Sequence, residues 1–171
     1  MAETSEESLA AHTVTKILYI GPQATIPKKW IRGPAVPFLF SDRPRSFFVK
    51  RDSAIVVVPT DEVALVQIPI TVQEQFNILE LLATFSFRNP AADDEVEATF
   101  VLRDSDGTLL NIERLRAKNN AIVAGSLVFR GQFTPGPHVF SLLVSTPGPG
   151  SIVIDPATGD NASLFIQQLD R

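Results

Sequence analysis

Ser126 to Phe133 (SLVFRGQF), His138 to Ser145 (HVFSLLVS), Ser151 to Asp155 (SIVID) and Ala162 to Leu169 (ASLFIQQL) are four short strand-like runs. Each is divided from the next by Pro, Gly, Asn or Asp. Runs of this length, rich in Val, Ile, Leu and Phe and punctuated by turn formers, predict a sandwich of antiparallel strands. No reactive motif is embedded in them, so function has to be read from surfaces and charge.

Working back toward the amino terminus, the regular pattern begins near Ser53. Ala54 to Val58 and Val63 to Ile70 are apolar on both faces. Leu79, Leu81, Ala83, Phe85 and Phe87 alternate with Glu80, Leu82, Thr84, Ser86 and Arg88, the period of a half-buried strand. Val96, Ala98, Phe100 and Leu102 likewise face inward against Glu97, Thr99, Val101 and Arg103. Asp104-Ser105-Asp106-Gly107 then reads as a hairpin turn. Glu74 to Ala83 and Leu109 to Lys118 contain good helix formers, but both lie between strands with no room for a crossover helix, so both are read as mainly strand.

The front of the chain differs. Pro22, Pro27, Pro34, Pro37 and Pro44 remove backbone donors and fix dihedrals, which predicts an extended, irregular strap over 21–45. Thr13 to Ile20 before it reads as one isolated strand, able to add to the edge of another sheet. Apolar Trp30, Phe38, Phe40, Phe47 and Phe48 are interleaved with Lys28, Lys29, Arg32, Arg43 and Arg45. Greasy groups in an extended strap need a surface to lie on. The organisation expected is therefore an arm over 1–51 and a head over 52–171.

Charge follows the same division: residues 1–27 carry −2, residues 28–51 carry +6 and the remainder −8, giving the chain's −4. A basic strap beside an acidic domain suits docking onto acidic protein, its own or a neighbour's. Basic and aromatic residues together also suit single-stranded nucleic acid. An overall pI near 5.1 means the rest of the molecule would repel that polyanion, so nucleic acid is not the expected partner.

Cysteine is absent, which excludes disulfides and thiolate metal sites. Met1 to His12 is acidic and polar, so no secretory signal is expected, and apolar runs such as Ile55 to Val58 are too short to span a bilayer. His12 and His138 alone make no catalytic or metal set. G-x-S-x-G, P-loop and H-E-x-x-H motifs are missing. Asp93-Asp94-Glu95 and Asp104-Ser105-Asp106 could offer oxygens to calcium, but the second lacks a distal bidentate Glu and is ordinary turn chemistry. No catalytic, cofactor or metal residue is assigned, and an enzyme is not expected.

The long strand Leu79 to Arg88, the hairpin at Asp104 to Gly107, the segment Gly131 to Leu142 and the closing Ala162 to Leu169 follow one another in an order that resembles the jelly-roll head of the complement-globular and tumour-necrosis-factor type. The likeness is to its bacterial and phage branch, found in trimeric virion and spore-surface proteins. It implies an all-β, antiparallel jelly-roll sandwich behind a proline-rich arm, heads that form homotrimers, and a last strand near the threefold axis. The strap lacks Gly at every third position, so a collagen-like stalk is not expected.

Strand pattern points to association independently. Leu164, Phe165, Ile166 and Leu169 put apolar groups on both faces of one strand, and Ile55 and Val57 belong to a second such run. A two-layer sandwich buries one face of each strand, so these six residues are the expected oligomer interface, unless the strap covers them. The function expected is a non-enzymatic structural subunit of a shell or filament, self-associating and anchored to neighbouring structural proteins by its arm. A virion decoration, head or tail-associated component comes first. A spore-coat or surface-appendage subunit and a receptor- or carbohydrate-binding module are the alternatives. Trp30 and Tyr19, the chain's Trp and Tyr, lie outside the head, which leaves few stacking platforms for sugar.

Overall fold

The computed structural model describes residues 16–19, 45–59, 61–91 and 94–169. Eleven strands lie among them: β1 (Lys16–Tyr19), β2 (Ser46–Lys50), β3 (Ile55–Val57), β4 (Glu62–Val72), β5 (Ile78–Arg88), β6 (Glu95–Arg103), β7 (Leu109–Lys118), β8 (Ile122–Gln132), β9 (Gly136–Ser145), β10 (Ile152–Ile154) and β11 (Ala162–Leu169). They form two antiparallel sheets. The larger runs β1-β2-β11-β5-β10-β3, with β8 also paired to β5; the smaller runs β4-β9-β6-β7.

The eight main strands pair in a nested order. β6 pairs with β7, β5 with β8, β4 with β9 and β2 with β11. Successive pairs alternate between the two sheets, so the chain is one long double ribbon rolled into a sandwich, the jelly roll. β1 extends the β2 edge in register from Lys16↔Lys50 to Tyr19↔Phe47, so this strand adds to the chain's own sheet and not, as expected, to another.

Local sequence explains most elements. Leu79, Leu81, Ala83, Phe85 and Phe87 of β5 are all buried, and Val96, Ala98, Phe100 and Leu102 of β6 meet them from the other sheet. β7 pairs with β6 from Glu95↔Lys118 to Arg103↔Leu109, with one register shift after Leu102, despite its helix-favouring residues, because the paired context outweighs weak propensity. Of the two segments rich in helix formers, the first forms the 3-10 turn Glu74–Phe76 before β5 enters the sheet. Asn119 and Asn120 both have φ of 56°, a left-handed pair that makes a tight turn from the small sheet into the large one, and Ala121 N donates to Lys118 O at 3.1 Å.

At the centre, Phe85 of the large sheet stacks on Phe100 of the small one, with ring centroids 3.7 Å apart and planes 10° from parallel. Phe87 tilts against the same ring at 5.3 Å. Inward Gln168 of β11 is buried and donates from Nε2 to Thr71 O of β4 at 3.0 Å, a polar tie between the layers. Gly125 on β8 faces Phe85, and a Cβ there would lie 2.8 Å from the Phe85 ring, Leu115 and Glu113. Close passage of β7 over β8 requires that glycine.

The strap's end is placed differently from the expected division at residue 51. Ser46–Lys50 lies within the large sheet, between β1 and β11, and Phe47 packs on the core. Arg51, counted with the strap's cations, is buried and donates to Ser53 O and Leu65 O at 2.8 and 3.1 Å. Lys28, Lys29, Trp30, Arg32, Phe38, Phe40 and Arg43 lie outside the described residues.

Removing the shared ring should be costly. Phe100→Ala is expected to lower the unfolding free energy by about 3–5 kcal/mol, as large-to-small core changes do. A urea midpoint shift at unchanged slope reads it out; a loss under about 1 kcal/mol would show that the two sheets do not depend on this contact.

Candidate functional site

Strand register lines up the outward residues of the large sheet. Phe48 is opposite Phe165, Phe165 opposite Leu82, and Leu82 opposite Val128, giving one apolar row across β2, β11, β5 and β8. Leu18 of β1 stands next in register to Phe48. Leu82 is 38% and Val128 54% exposed, whereas Phe48 and Phe165 are half-buried by their neighbours.

Polar rows flank it. On one side stand Lys50, Ser163, Thr84 and Ser126, with the Thr84 and Ser163 hydroxyls 2.7 Å apart. On the other stand Ser46, Gln167, Glu80 and Arg130. Three charged groups thus surround four apolar ones. Asn111 Nδ2 donates to Val128 O at 2.8 Å and ties the β8 edge of this face to β7.

The expected interface residues separate sharply. Leu164, Ile166 and Val57 are fully buried in this chain's own core and cannot meet a second subunit, a correction to the two-faced reading. Strand alternation sends them inward, each worth roughly 1.5–3 kcal/mol of burial. Ile55 packs against the same core, half-buried. Phe165 and Leu169 point outward, and only Phe165 belongs to the continuous row. Leu82 and Val128 were not expected; the one signal for Leu82 was an apolar residue in the outward register of β5. Of the arm residues, Phe48 is on the row, while Arg45 and Phe47 line an open cleft of about 350 Å³ with Ile70, Thr71, His138 and Val139.

His138 bridges two turns. Its Nδ1 lies 2.8 Å from Asp104 Oδ2 after β6, and its Nε2 lies 2.9 Å from Thr134 O before β9. The ring stacks on Phe140 with centroids 5.8 Å apart. Asp104 Oδ1 accepts from Ser105 N and Ser105 Oγ, so this turn's carboxylate is committed to protein donors. Among the described residues no group of three or more His, Asp or Glu is placed to hold a metal ion.

Both His138 nitrogens face acceptors, and the imidazolium alone donates from both. Burial works against the charged ring, but the Thr134 carbonyl and the Asp104 carboxylate outweigh it, with Asp106 adding to them, and raise the pKa above the ordinary value.

No family model matches the chain. No curated protein matches it either. Among solved structures, a mutant VP2 protein of infectious bursal disease virus superposes at TM-score 0.40 with 16% identity, over 76% of this chain and 37% of that one. The sugar-binding EclA C-terminal domain gives 0.38 and 18%, over 81% and 89%. A xylan-binding CBM22-1 domain from Paenibacillus barcinonensis gives 0.32 and 10%, over 92% and 83%. The chain spans little more than a third of the VP2 protein's length. Similarity of this degree carries no conclusion about role.

The His138 bridge makes stability depend on pH. A raised folded-state pKa means that the stabilisation is complete below the unfolded value of about 6.5 and is lost as pH climbs through the folded value above it. Urea midpoints measured between pH 5 and 9 should fall across that window in the wild type. The fall should be absent in His138→Gln; an identical decline in both chains would rule out the bridge as its source.

Proposed function

We propose that this protein is a non-enzymatic structural subunit of a larger assembly, associating through the outward face of its large sheet. The apolar row of Phe48, Phe165, Leu82 and Val128 carries the reading. Scattered exposed apolar residues are ordinary, but four in continuous register on one face, two exposed and two half-buried, suit a surface that another covers.

A virion is the first context, as a decoration, head or tail-associated component. Jelly rolls build both capsid and lectin domains, so the context rests on fold-level analogy together with that face. A spore or cell surface is the second context. The threefold number comes from the resemblance alone; the fold supplies a face, not a count. Residues 1–44, with their cluster of cations, anchor the subunit to acidic neighbours in this reading.

Sedimentation and electron microscopy of the purified full-length chain test it. Discrete oligomers, shells or fibres are expected at micromolar concentration. A stable monomer would overturn the proposal, and a saturable ligand on a glycan array, held by such a monomer, would replace it with a carbohydrate-binding role.

A further inference from the structure

We propose that the outer face of the large sheet is an isologous contact between two copies of this chain, packed face to face about a twofold axis that runs along the strands between β11 and β5. The inference rests on the assembly reading above and adds the partner and its register.

Self-complementarity carries it. Over the strands whose side chains are described, the row crosses β2, β11, β5 and β8, with β1 flanking it at the β2 edge, and its midpoint falls between Phe165 and Leu82. A twofold axis there reverses the row: Phe48 of each copy meets Val128 of the other, and Phe165 meets Leu82. Both half-buried aromatic rings then lie on the more exposed aliphatic side chains, so large groups meet small ones along the whole row.

The flanking rows obey the same operation. Reversal sets Arg130 against Ser46, Glu80 against Gln167 and Lys50 against Ser126, while Ser163 meets Thr84. Each charge faces a neutral hydrogen-bonding group and none faces its own sign, which removes the repulsion that blocks most self-contacts. Corresponding strands of the two copies run in the same sense, so facing strands run oppositely, and sheet twist sets them at roughly 30° with the layers about 10 Å apart.

Area is adequate. Four strands about 4.8 Å apart, three taken over about eight residues and β2 over its five, present roughly 470 Å² in projection. Side-chain relief raises the accessible area toward the ~800 Å² per partner typical of stable complexes.

Two measurements on the full-length chain test the pairing. In sedimentation, Leu82→Lys or Val128→Lys should weaken association more than tenfold, with an unchanged far-UV spectrum. Because the chain has no cysteine, Phe48→Cys and Val128→Cys variants can be mixed and treated with a short thiol-to-thiol linker. The mixture should give several-fold more cross-linked dimer than either variant alone, since like positions lie about three strand spacings, ~14 Å, apart. Equal cross-linking of Val128→Cys with itself overturns the register. A wild-type oligomer that keeps its size with Leu82→Lys and Val128→Lys overturns the pairing and leaves the assembly reading standing. A wild-type monomer overturns both, and thiol protection of Leu82→Cys in that monomer would assign the cover to the chain's own residues.

Discussion

The closing strand β11 is the constraint on which the rest of the molecule depends. It lies between β2 and β5 with ladders on both sides, so its backbone polar groups are paired and its side chains must alternate strictly. Ala162, Leu164, Ile166 and Gln168 go into the sandwich, while Ser163, Phe165 and Gln167 go out. That one alternation joins the strap's last strand to the sheet, supplies the Gln168 tie to β4, and sets an aromatic ring in the middle of the outer face.

Much of the fold was legible because alternation is a local property. The inward sets of β5 and β6 could be read from period alone, and so could the hairpin at Asp104 to Gly107. β7 was recoverable from its position between strands despite its composition. Ser46–Lys50 was harder: five residues with adjacent phenylalanines show no period, and their partner β11 is more than a hundred residues away. The outer row was illegible for the same reason. Leu82 and Val128 are unremarkable in their own strands; only register places them beside Phe165. Counting apolar residues on both faces of β11 and β3 overstated what needed an external partner, because Leu164, Ile166 and Val57 already fill the core.

Polar chemistry inside the head is structural in character. Arg51 holds carbonyls of two separate segments, and Arg88 reaches Asp160 Oδ2 at 3.0 Å as well as Thr158. The carboxylate of Asp160 is completely buried, so this pair fixes the turn before β11 at the cost of a strong dependence on its partner. His138 does comparable work between two other turns. These groups hold the ends of the sandwich in place.

Nested pairing has a consequence for biosynthesis. The innermost hairpin, β6 with β7, can close as soon as it leaves the ribosome, but each outer pair must wait for a strand made later, and β2 waits for the last of all. Until β11 emerges, β2 and β5 present bare edges to any other nascent chain, and such long-range closure is intrinsically slow. When many copies are translated on one message, a neighbour's closing strand can fill that vacant slot, so yield would depend on how well spaced the ribosomes are.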